Sequence, residues 1–193
     1  MIHHKLQVKR SPQEQLELLI QKKFHRSAGL TKKEFLKYCA KIQDRGLPKK
    51  RAKDPIWVIP EEMVPIQTQA SLLGVRSTLK YLWELEHKGK KIKRPYLIWN
   101  IEDGSEMTNI CTNFASIYLK RRKRFMMNTV EGLALFREEP DILNNHNLLL
   151  GQSFHGNMVL ALILDPKGQA TLTEQVPSYP GTKWGAPSYL MKR

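Results

Sequence analysis

Helix-start signals and strand-sized apolar runs fall in different parts of this chain, and that segregation restricts its fold more than any other feature. Ser11, Pro12 and Glu14 make a capping box with proline at the first helical position, and Thr31 with Glu34 makes a second box. Leu16, Leu19, Ile20 and Phe24 recur at helical spacing behind the first signal, and Phe35, Leu36, Cys39 and Ile42 behind the second. The two faces are expected to pack as a helical hairpin around Ala28-Gly29, with Leu30 and Phe35 as a hydrophobic staple.

Beyond Gly46-Leu47-Pro48 and the basic stretch Lys49–Lys53, the pattern changes. Ile56-Trp57-Val58-Ile59, Tyr96 to Ile101, Phe125-Met126-Met127, Leu148 to Leu150, Met158 to Leu164 and Thr171 to Thr173 have strand composition. Asp165-Pro166-Lys167-Gly168 is a turn between the last two. Residues 66–94 are ambiguous, with helical character over Ser77 to Glu86, and helices are predicted over Asn113 to Leu119 and from Asn128-Thr129-Val130-Glu131 to the residue before Pro140. Runs of strands beside separate helices define an α+β protein. The expected architecture is an N-terminal helical hairpin followed by a mostly antiparallel sheet with two or three packed helices. Residues 1–53 form the basic helical segment and linker, and residues 54–193 the α+β domain, together one folding unit. A chain of 193 residues buries roughly 70% of its unfolded surface, so neither metal nor disulfide is needed to support the core.

The longest apolar run has seven residues, far short of the ~20 that a membrane helix needs. Cys39 and Cys111 stand 72 positions apart with no second pair, which is no disulfide framework. The basic stretch Met1 to Arg10 is followed by Gln13-Glu14-Gln15, not by an apolar core, so no secretory signal is expected. A cytoplasmic protein with free thiols is the expectation.

Charge carries the functional direction. The net charge is +14, and residues 1–53 hold 15 Lys+Arg against 4 Asp+Glu. Such asymmetry points to a polyanion, nucleic acid above all. The cations expected to meet phosphate are Lys22, Lys23, Lys32, Lys33 and Lys37 on the hairpin, and the run Lys120, Arg121, Arg122, Lys123 and Arg124. An ordinary solvated helix end, where cations suit the dipole, accounts for the same run. Gln69-Ala70 followed by Gly74-Val75 has the spacing of a helix-turn-helix centre, although Lys80 stands where an apolar residue is required.

Chemistry finds less support. Gly151-Gln152-Ser153-Phe154-His155-Gly156 is one residue too long for a nucleophile elbow and is expected to be a glycine-bounded hairpin. Glu102, Asp103 and Glu106 offer oxygens to a hard cation but also suit an exposed turn. The six histidines show no zinc spacing, and there is neither a Walker loop nor a dinucleotide fingerprint. No catalytic residue, cofactor or metal is therefore assigned. The leading expectation is a non-enzymatic binding protein that contacts nucleic acid. An enzyme or small-molecule binder using Glu102, Asp103 and Glu106 with Ser153 and His155 is one alternative. A protein-interaction module is the other.

The order of elements resembles a bacterial family of unknown function, domain-of-unknown-function family 5701. The resemblance runs through Leu16-Glu17-Leu18-Leu19, Gly29 to Phe35, Ile56 to Ile59 with Val64-Pro65, and Pro95 to Ile98 with Asp103-Gly104. It continues through Thr129-Val130-Glu131-Gly132-Leu133-Ala134-Leu135, Gly151 with Ser153, and Trp184-Gly185. Where that family is similar in an Asp-rich turn, a Cys near the Gly-Ser turn and a His before the last Trp, this chain has Asn100 and Glu102, Phe154-His155, and Gly181. The resemblance implies an architecture and no activity.

Overall fold

The computed structural model describes residues 8–43, 54–87, 91–179 and 181–192. It is an α+β fold, as the sequence predicts. Three helices come first: α1 (Pro12–Gln21), α2 (Phe24–Ser27) and α3 (Lys32–Gln43). Both capping boxes form. Ser11 Oγ accepts from the Glu14 N–H while Glu14 reaches back to the Ser11 N–H. Thr31 Oγ1 accepts from the Glu34 N–H at 3.2 Å, and Glu34 accepts the Thr31 N–H at 2.8 Å. Thr31→Ala is expected to cost about 1 kcal/mol by leaving a helix-end N–H unsatisfied. A thermal midpoint unchanged in that variant would rule out the cap. In place of a direct turn between two helices, the short α2 intervenes, entered through Lys23 with φ +66°. Lys49 to Lys53, the basic linker of the sequence, lie outside the described residues, as does the side chain of Ile42.

The strands among the described residues form three sheets. β1 (Ile56–Val58), β4 (Tyr96–Trp99) and β11 (Met191–Lys192) make an antiparallel sheet with β4 at its centre. β5 (Phe125–Met126) pairs with β10 (Ser188–Tyr189). The largest sheet has the order β2–β8–β7–β6–β3. Its strands are β2 (Arg76–Ser77), β8 (Ala170–Gln175), β7 (Met158–Leu164), β6 (Asn147–His155) and β3 (Glu86–His87). β9 (Trp184–Gly185) also pairs with β6, in parallel, as β2 does with β8.

Side-chain alternation in β1 and β4 explains where the core sits. Ile56, Val58, Tyr96 and Ile98 face α6 (Thr129–Glu138) and join Leu148, Leu150, Leu160 and Leu162 of the large sheet in the main core. Trp57, Leu97 and Trp99 face the other way and meet Leu16, Leu19, Phe24, Phe35 and Cys39 of the helical segment. Both faces are covered, so these strands carry no polar alternation. Gln15 fastens the segment to the sheet: its side chain accepts the Trp57 N–H at 2.9 Å and donates to the Pro55 carbonyl at 2.7 Å. Cys39 and Cys111 are buried and free, and burial pushes the Cys39 thiol up to about 12. Among the described residues, no helix is long and apolar enough to cross a membrane.

Two expectations are corrected. The stretch Ser77 to Glu86 is not an α-helix. It runs from β2 through a single 3-10 turn at Leu82–Glu84 into β3. Extended pairing wins because the Thr78 N–H donates to the Leu172 carbonyl of β8. Leu79, Leu82 and Leu85 then reach the core from an extended path. The helix-turn-helix is overturned by the same fact. Gln69 and Ala70 lie in α4 (Ile66–Leu72), but a strand, not a recognition helix, follows Gly74.

Candidate functional site

The acidic turn and the basic run meet each other. β4 ends at Trp99, and the chain turns through Asn100 (φ +52°) to Glu102, whose N–H and carbonyl exchange bonds with Ser188 at 2.9 and 3.0 Å. Asp103 Oδ1 accepts the Ser105 N–H at 2.8 Å, and the Asp103 carbonyl takes a bond from His146 Nε2 at 2.9 Å. The turn is therefore fixed from both sides. α5 (Thr112–Arg121) delivers the basic run to it. Arg124 Nε lies 3.0 Å from Glu102 Oε2 and also bonds Ser188 Oγ, while Arg124 Nη2 donates to the Asn100 carbonyl. Arg122 Nη1 lies 3.3 Å from Glu106 Oε2 and its guanidinium sits over the Tyr118 ring. Burial draws the Arg124 guanidinium below its ordinary value, and the Glu102 charge works against that shift. Glu102 and Glu106 thus have arginine partners, and no described cluster of three His, Cys, Asp or Glu side chains is placed to hold a metal ion.

Ser153 and His155 take other partners. β6 carries a bulge between Leu150 and Phe154, where its register against β7 shifts. Gly151 lies within the irregular stretch and packs closely against the end of the Met126 side chain. The expected hairpin turn is displaced accordingly: Gly151 to Ser153 lie within β6, and the turn falls after His155. The bulge brings Ser153, fully buried, to the start of α6, where the Thr129 N–H donates to its Oγ at 2.8 Å. Ser153 Oγ also lies 2.7 Å from His87 Nδ1, and His87 Nε2 lies 3.0 Å from Glu61 Oε2. Ser153 Oγ thus accepts the Thr129 amide and shares a hydrogen with His87 Nδ1, while the other ring nitrogen of His87 faces the Glu61 carboxylate.

A serine–histidine–glutamate chain has the residue types of a nucleophilic triad, but here the hydroxyl is sealed from solvent and occupied by a helix-terminal amide. The chain ties the Glu61 loop, β3, β6 and α6 together. His155 bonds Glu174 and lies 3.5 Å from Glu84, and these two carboxylates raise its pKa. The partners of Ser153 and His155 are therefore His87, Thr129, Glu84 and Glu174, and none of these belongs to the acidic turn.

The His87 bond holds the Glu61 carboxyl below its ordinary range, with the charges of His87 and Lys91 adding to the effect. A depressed carboxyl contributes stability above its unfolded value of about 4.3 and loses it as pH falls through the folded value. The stability gap between the wild type and Glu61→Gln is therefore expected to be constant near neutral pH and to close below about pH 4. Chemical denaturation across that range measures it, and a gap that persisted in acid would show that Glu61 is not tied to His87.

The cations sort by their partners. With Arg122 and Arg124 half-buried on carboxylates, Lys120, Arg121 and Lys123 remain exposed and have no carboxylate partner among the described residues. Lys22, Lys23, Lys32, Lys33 and Lys37 likewise make no ion pair there. The helical segment packs on β1 and α4, whereas α5 packs on β5 and β6.

What sequence reasoning missed on α5 is apolar. Thr112, Ala115 and Leu119 are its buried face, yet Phe114, Ile117 and Tyr118 are exposed on the other side, at 68%, 53% and 43%. Arg121 follows them at i+7, i+4 and i+3, on the same face. Apolar residues on both faces of one helix were a readable signal. Glu61 and His87 were also missed, and no local pattern announces them.

No protein-family model matches the chain, and neither a curated protein nor a solved structure does.

Proposed function

We propose that this protein binds nucleic acid without transforming it, through exposed cations that have no carboxylate partner among the described residues. One observation carries the reading: the run from Lys120 to Arg124 divides into two structural arginines held by Glu102 and Glu106, and three exposed cations without such a partner among the described residues. An acidic turn that compensated the whole run would have left no cation there for a phosphate. Lys22, Lys23, Lys32, Lys33 and Lys37 extend the positive field, which suits a phosphate backbone. No element among the described residues offers a base-reading helix, so binding is expected to depend little on sequence.

With about four to six phosphate contacts, the slope of log affinity against log salt on duplex DNA is about −4 to −5. Reversing Lys120, Arg121 and Lys123 to glutamate should flatten that slope by roughly 3. Arg122 and Arg124 are left alone, because changing them would disturb the turn. The matched control reverses Lys49, Lys50 and Arg51, which lie outside the described residues. Equal effects from the two triples, or no binding of DNA or RNA at low salt, would overturn the proposal.

A further inference from the structure

We infer that the exposed face of α5, continued by Phe125, is a stacking platform for single-stranded nucleic acid; this deepens the nucleic-acid reading and rests on it. Phe114, Tyr118 and Phe125 stand exposed in the order of the chain, with Lys120, Arg121 and Lys123 between the second ring and the third. Phe114 and Tyr118 are four residues apart on a helix, so they are offset by about 6 Å along its axis. That offset suits two successive bases that have left their own stack. Phe125 follows on β5, and α5 packs directly against that strand.

Charge complementarity selects the occupant. A duplex presents phosphates and keeps its bases inside, so it would use the cations and leave the rings wet. A protein partner would use the rings but would have to bring carboxylates for Lys120, Arg121 and Lys123. A single strand supplies both ligands, bases for the rings and phosphates for the cations, in alternation. Arg122, seated 5.4 Å from the Tyr118 ring centroid and bonded to its hydroxyl, holds that ring in place on the surface of α5. Phe114 and Tyr118 are exposed and lie outside the core, whereas Phe125 stacks on the buried Tyr189 ring, so the test variants are placed at 114 and 118.

The test is fluorescence anisotropy at low salt with a short single-stranded oligonucleotide of mixed sequence, as RNA and as DNA, and with the blunt duplex of the same sequence. Phe114→Leu and Tyr118→Ala are each expected to weaken single-strand binding by roughly tenfold. Both should leave duplex binding and the salt slope unchanged, and Tyr118→Phe should restore the wild-type affinity. Phe114→Leu keeps an apolar side chain and removes only the ring, so it separates stacking from simple burial.

If the wild type binds single strand and duplex alike and these variants change neither, the platform is overturned while the polyanion reading stands. If neither form binds, the underlying reading has failed. If the wild type self-associates in the ultracentrifuge and Phe114→Leu makes it monomeric, the face is a protein interface and the platform is overturned.

Discussion

Replacing Arg137 by methionine is expected to cost about 3–5 kcal/mol, because it strands a buried carboxylate. Arg137 and Glu138 are adjacent near the end of α6, and their side chains are almost wholly shielded from solvent. Arg137 Nε lies 2.5 Å from Glu138 Oε1, and Arg137 Nη2 donates to the Trp57 carbonyl at 2.7 Å. Burial draws the Arg137 guanidinium below its ordinary value, and the Glu138 charge opposes that shift. Without the guanidinium, Glu138 keeps, among the described residues, the cation of Arg10 at 3.4 Å, and the Trp57 carbonyl loses its side-chain donor. The thermal midpoint should fall by roughly 6–20 °C for a chain of this size. Adding Glu138→Gln should return a large part of the loss, since the charge is then removed with its partner. A single-variant loss below about 1 kcal/mol would show that water reaches the pair, as it does at exposed ion pairs.

That pair joins α6 to β1 across 80 positions of sequence, and this is the kind of contact that local pattern does not announce. The elements themselves were legible wherever one local rule dominated. Ser11, Thr31 and Asn128 each start a helix with a glutamate three residues on, and each box forms. β6, β7 and β8 follow from their apolar runs and the Asp165 turn, where Asp165 Oδ1 accepts the Lys167 and Gln169 N–H groups. Ser77 to Glu86 failed because leucines at 79, 82 and 85 satisfy a helical period and an extended path equally well. Sheet pairing with residues almost a hundred positions away decided between them.

The candidate site divides in the same way. The basic run and the acidic turn were visible as compositions, but which arginine is structural and which cation is free depends on the approach of α5 to residues 102–106. The Ser153–His87–Glu61 chain needed a bulge in β6 and an edge strand at β3, and neither follows from the residues in between. The exposed rings of α5 could have been found by asking which of its apolar residues the buried face leaves over.

The turn that holds Arg122 and Arg124 has one position that no side chain can occupy. Gly104 adopts φ +95°, and a Cβ there would lie 2.6 Å from Ala186 N and 2.7 Å from both Ala186 C and Pro187 N. Left-handed backbone costs a non-glycine residue about 1–2 kcal/mol. Overpacking adds about 1–3 kcal/mol, and here the obstacle is main chain, which cannot swing aside as a side chain can. Gly104→Ala is therefore expected to cost about 2–5 kcal/mol in total. Gly156 is the control: its φ is +57° with nothing within 4 Å of the added Cβ, so Gly156→Ala carries the backbone cost alone. Denaturant midpoints of the two variants measure the difference. Because residues 186 and 187 lead directly into Ser188, the clash should also loosen the Glu102–Ser188 bridge and the hold of Glu102 on Arg124. An Arg124 freed in this way adds a cation beside Lys123, so the alanine variant should lose stability without losing affinity for nucleic acid at low salt. Equal costs at 104 and 156 would mean that the 186–187 backbone gives way, and that the acidic turn is not braced by it.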